Sequence, residues 1–166
     1  MATSRIAIET LAWLIQDAFD GDPDQSLIAN IRDLREEDWT ARPAGGERSI
    51  AEVLEHVGWA KWMYEDYAFG SASMRGDRPP LIPAEDAPSR PRDELIEWLT
   101  AGHQKWLSSV RSLSDDAELD RDRLTNWGEW LPTRVLIRIM IGHDFYHAGE
   151  INHIRALLPG TDRWPY

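Results

Sequence analysis

PTRVLIRIMIGHDFYHAGEINHIRALL (132–158) is the stretch that decides how this chain folds. Read at a helical period, Leu136, Ile139, Met140, His143, His147, Ile151, Ile154 and Leu158 fall on one stripe. Pro132 suits the first turn of a helix, and Pro159-Gly160 ends it. Ile137, Ile141, Phe145 and Ala148 form a second apolar stripe roughly 150° away. A helix with two apolar stripes must bury both. The segment is therefore the central helix of a monomer or half of a dimer interface, and a homodimer is expected.

Outward from this helix, three more long helices are legible. The first covers about Ser4 to Phe19, with Ile8, Leu11, Ile15 and Ala18 on its stripe, and stops at Gly21-Asp22-Pro23. A shorter one follows, carrying Leu27, Ile28, Ile31 and Leu34. The second long helix opens on Ser49-Ile50-Ala51-Glu52, a capping-box pattern, and runs to Phe69 before Gly70. Residues 71–91, rich in Pro, Gly, Arg and Asp, read as a long surface loop. The third long helix starts near Pro91 and runs to about Leu113, with Leu95, Trp98, Leu99, Gly102, Trp106 and Val110 inward. Residues 114–131 form a second long connection, with room for a short extended piece. No repeat or internal linker divides the chain, so the sequence predicts one all-α domain over residues 1–166, a four-helix bundle.

Histidines carry the chemistry. His143 and His147, four apart, point the same way from one helix face, as two ligands of one metal ion do. They interrupt an apolar seam, and imidazoles buried there need a metal or a specific hydrogen-bond network. His56 sits mid-helix on another largely apolar face, where a facing helix can bring it to the pair. Three imidazoles with an open position make a reactive site rather than a closed structural one. His103 reads as a boundary residue beside Trp98 and Trp106, and His153 points well to one side of His143.

Totals exclude other chemistries. A net charge of −11 with no basic run argues against nucleic acid and anionic membranes as partners. The absence of cysteine removes disulfides, cysteine zinc sites and thiol nucleophiles. MATSRIAIETLAW (1–13) lacks a signal-peptide pattern, and no stretch approaches the roughly 20 apolar residues of a membrane span. A cytoplasmic protein with a small-molecule substrate is expected.

The segments GGERSIAEVLEH (45–56) and GHDFYHAGEINHIR (142–155) resemble the second-helix and fourth-helix motifs of the DinB-like superfamily, the DinB/YfiT-like metalloenzymes. DWTARP (38–43) and the apolar run before His143 fit as well, so the resemblance covers nearly the whole chain. It implies a four-helix bundle of the DinB/YfiT type, with a divalent ion (zinc, nickel or iron) held by His56, His143 and His147. Glu150 stands where relatives carry Gln, one turn past His147, as a supporting or acid/base group.

Some relatives are thiol-dependent transferases or isomerases, in which the metal holds a low-molecular-weight thiol such as bacillithiol or mycothiol as its thiolate. The resemblance therefore implies thiol-dependent transferase chemistry here, with a metal-dependent hydrolase as the alternative. A non-catalytic dimeric binding or assembly module is the reading from a different class. Trp59, Met63, Trp127 and Trp130 are candidates for the pocket wall, against plain packing. Arg134 and Arg138 could meet an anionic substrate, against a role as solvated helix charges.

Overall fold

A computed structural model of the protein describes residues 4–46, 48–74 and 90–163. Most of the loop expected over 71–91 lies outside these residues. The described residues are all-α apart from one short hairpin: α1 (Ile6–Gln16), α2 (Glu36–Trp39), α3 (Ile50–Phe69), α4 (Arg92–Arg111), β1 (Asp122–Leu124), β2 (Trp130–Pro132) and α5 (Thr133–Leu157). No helix among them is long and apolar enough to cross a membrane. The long helices touch in a ring, α1 on α4, α4 on α3, α3 on α5 and α5 on α1.

α1 does not end at a simple cap. It widens into a five-residue π turn, Asp17–Gly21, which carries Ala18 and Phe19 into the interior. The shorter helix expected next is instead a series of turns with one 3-10 turn, Ala29–Ile31. The reason is competition from side chains. Asp22 accepts the N–H groups of Asp24 and Gln25, Ser26 Oγ donates to the Asp22 carbonyl, and the Asn30 amide donates to the carbonyls of Asp24 and Ser26. Leu27, Ile31 and Leu34 still reach the core. Arg155, buried on α5, locks these turns down through the Asn30 carbonyl, the Asp33 carboxylate and the Thr161 carbonyl.

α3 begins as its sequence dictates, with both bonds of the Ser49–Glu52 capping box formed. Its packing on α4 is reciprocal. Trp98 of α4 lies over Gly58 of α3, where an added Cβ would sit 2.3 Å from the ring. Trp62 of α3 lies over Gly102 of α4, where an added Cβ would sit 2.7 Å from Nε1. Two glycines thus give two tryptophans their seats, and Trp62 Nε1 donates to the Trp98 carbonyl at 3.2 Å.

The extended piece within 114–131 is an antiparallel hairpin in which Arg123 faces Leu131. Gly128, at φ +90°, makes its turn. Pro132 continues β2 in extended conformation and caps α5 from outside rather than entering its first turn. On the second stripe of α5, Ile137 and Ala148 are buried, Ile141 packs on the core, and Phe145 is half-buried beside a surface cleft with Gly149 and Asn152.

Apolar residues form two clusters, one above the other. On α3 the first holds Ile50 to Val57 and the second Ala68; on α4 the first holds Leu95 and Leu99 and the second Trp106 and Val110; on α5 the second holds Leu136 to Met140 and the first Ala148 to Ile154. On each helix a buried polar residue lies where the clusters meet: Lys61, His103 and Asp144. Because the tryptophan seats have no spare room, Gly58→Ala should destabilise the fold by about 1–3 kcal/mol, the usual range for overpacking. Urea denaturation measures this, and an unchanged midpoint would show that Trp98 can retreat.

Candidate metal centre

His56 comes from α3, and His143 and His147 from adjacent turns of α5. Their rings converge. His143 Nε2 lies 3.2 Å from His56 Nε2 and 3.2 Å from His147 Nε2. One ring nitrogen from each residue falls within 4.8 Å of the others. Two imidazole nitrogens sharing a tetrahedral ion at 2.0–2.1 Å lie about 3.3 Å apart, so the spacing suits a shared ion.

Donor chemistry points the same way. A neutral imidazole nitrogen offers either one hydrogen or one lone pair. His143 Nε2, with two nitrogen neighbours, cannot hydrogen-bond to both. A cation accepts the lone pairs of all three rings together.

Glu150 fixes the tautomer of His147. Its Oε2 lies 2.7 Å from His147 Nδ1. A carboxylate only accepts, so the proton sits on Nδ1 and the Nε2 lone pair faces the centre. Glu150 is held in turn by Arg48 at 2.5 Å. It therefore positions a ligand, and both its oxygens are engaged. Tyr146, 70% exposed, sets its ring edge-on to His147 with centroids 5.0 Å apart.

Burial pushes His147 down to about 3, helped by the charges of His56 and Arg48. Burial also pushes His143 down to about 3, with His147, His56 and Lys61 adding to it. Both rings are thus neutral at pH 7, as metal ligands must be. His56 and His143 are partly exposed residues, while His147 is buried.

The other expected residues lie on α3 with His56, on the hairpin and on α5. Trp59 and Met63 are half-buried on α3. Trp127 lies at the hairpin turn, with Nε1 donating to Glu129 and its ring edge-on to Tyr64. Trp130 is 64% exposed on β2. Arg134 pairs with Asp120, and Arg138 is exposed. His153 is exposed and lines a surface cleft with Arg48 and Gly46.

His103 is not a boundary residue. It is fully buried, stacked on Phe19 at 3.8 Å, with Nε2 3.4 Å from Gln16 Oε1. The inward swing of Phe19 at the π turn supplies that stack. Sequence reasoning also passed over Arg48, Tyr146, Lys61 and Asp144. The last two form a buried ion pair, Lys61 Nζ lying 2.8 and 2.7 Å from the Asp144 oxygens. Burial raises the Asp144 carboxyl, and Lys61 opposes it by charge and hydrogen bond.

Two predictions follow from this geometry. Glu150→Gln keeps the shape but loses the charge that orients His147, so metal affinity should fall about tenfold, the low end for such partners; competition with a chelator reads it. His103, like the two ligands, is depressed from 6.5 to about 3, by burial first and then by Lys61 and Arg111. A depressed folded value means that the unfolded chain takes up the proton first as pH falls. Metal-free protein should therefore lose stability as pH drops from about 6.5 toward 3, and His103→Phe should flatten that loss. Identical pH profiles for the two proteins would refute the assignment.

Comparison with known proteins bears on the same residues. No curated protein matches the chain. The sequence profile of the DinB superfamily matches residues 20–151, a span that includes all three histidines and Glu150. The chain belongs to the DinB superfamily.

Proposed function

We propose that this protein is a divalent-metal-dependent enzyme for a small-molecule substrate, working with an external low-molecular-weight thiol in a transfer reaction. The observation that carries the metal assignment is the convergence of three imidazole nitrogens from α3 and α5. Three protein ligands, two of them partly exposed, suit a reactive centre and not a closed structural one. A divalent ion held by His56, His143 and His147 would supply Lewis acidity toward a bound oxygen or sulfur.

The chain's own residues do the rest. Glu150 and Arg48 orient His147. Burial keeps the His143 and His147 rings uncharged and available. The carboxylates nearest the ligands in sequence are already paired, Glu55 with Arg90, Asp144 with Lys61 and Glu150 with His147 and Arg48. With these acids engaged, the reading favours thiol transfer over hydrolysis. The chain has no cysteine, so the thiol must come from outside.

The test uses full-length protein without a histidine tag, loaded separately with zinc, nickel and iron. About one ion per chain is expected, lost on His143→Ala. In the nickel form, adding a small thiol should produce a sulfur-to-metal charge-transfer band. No bound ion under any loading defeats the metalloenzyme reading. A bound ion with no such band defeats the thiol assignment and puts the alternative, a metal-dependent hydrolase, in its place.

A further inference from the structure

Lys61 and Asp144 supply no ligand nitrogen, yet they sit beside the centre. Lys61 follows His56 by five residues on α3, and Asp144 is next to His143 on α5. Their side chains are 1% and 2% exposed. Among the described ion pairs, this is the one with both partners buried; each of the others has a partner at least 21% exposed.

Stability does not explain such a pair. Removing two charges from water is costly, and well-packed apolar residues of similar volume commonly serve as well or better. What a two-pronged bond at 2.7 and 2.8 Å adds is a fixed point. Apolar contacts between helices tolerate sliding and rotation. Ligands of one ion tolerate misplacement of only about 0.2 Å.

The fixed point is placed where it has leverage. α3 packs along α4 far more extensively than along α5, and the tryptophan seats secure that pairing. Among the described residues, α3 and α5 share apolar packing in the first cluster but no glycine seat of this kind. Yet His56 must meet its partners across that junction. The pair is also closed on itself. Both carboxylate oxygens take Lys61, and Nζ faces the Phe19 ring at 5.1 Å.

We propose that the Lys61–Asp144 pair is a positioning device for the metal centre, setting the register of α3 on α5 at which His56 reaches His143 and His147. The inference rests on the metal-centre reading above. It concerns how the donors are held, not which reaction follows.

The experiment compares full-length wild type, the Lys61→Met/Asp144→Leu double variant and Asp144→Asn, using cobalt(II) as the probe. The double variant removes both charges and leaves neither one stranded. It should melt at or above the wild-type temperature. It should nevertheless bind cobalt about tenfold more weakly, as for other groups that orient ligands, and show a shifted d–d spectrum. Asp144→Asn strands the Lys61 charge, so it should melt below the double variant; measured well below its melting temperature, it should also bind more weakly.

Wild-type affinity and an unchanged spectrum in both variants would overturn the proposal. So would a double variant that melts well below wild type, because the pair would then serve the fold itself. A wild type that takes up no cobalt removes the metal centre and this inference together, whereas equal cobalt affinity in wild type and variants removes this inference alone.

Discussion

Lys61 and Asp144 meet inside the protein with almost no water around them, and the placement of the helices has to let them do so. An uncompensated buried charge would be strongly unfavourable. α3 and α5 are therefore constrained to lie side by side at one height. That height is the boundary between the two apolar clusters. The same polar layer takes in His103, stacked on Phe19, and the histidine cluster lies one residue from Asp144 along α5. The core is thus divided, with greasy layers above and below and the chemistry-bearing layer between.

Each acidic group next to a ligand has its own cation. Asp144 has Lys61, Glu150 has Arg48 and Glu55 has Arg90. The three ligand rings bring no negative charge themselves. A dication held among them would keep its full charge in a partly dry setting, where electrostatic interactions are strong. Anionic groups would be drawn to such a place, despite an overall net charge of −11. The local field and the global charge have opposite signs.

Much of this was legible in the residues. The Ser49–Glu52 box, the stop at Gly70, the spacing of His143 and His147 and the stripes of α4 and α5 depend on local geometry, which sequence reports well. What was missed depends on contacts remote in sequence. The turns at 22–34 win over a helix because Asp22, Ser26 and Asn30 bond the backbone, with Arg155 arriving from α5 to hold them. His103 is buried because Phe19, 84 residues earlier, swings over it. A signal for Lys61 was present: it continues the buried spacing of Leu54 and Val57 on α3, where a lysine has no place unless an anion awaits it. Asp144, beside the first histidine of an apolar seam, is the matching half.

The π turn at Asp17–Gly21 carries a lesson in evolutionary terms. Such a turn is equivalent to one extra residue lodged in an α-helix. Here the extra residue sets the direction in which Phe19 leaves the helix, and Phe19 is the plate between Lys61 and His103. Losing one residue from 17–21 would restore a regular helix and rotate everything on one side of the deletion by about 100° relative to the other. Lineages that retain the polar layer should therefore drift freely in the identity of exposed residues along this stretch, yet hold its length constant. Conserved spacing, more than conserved letters, would be the mark left on the genome by this part of the fold.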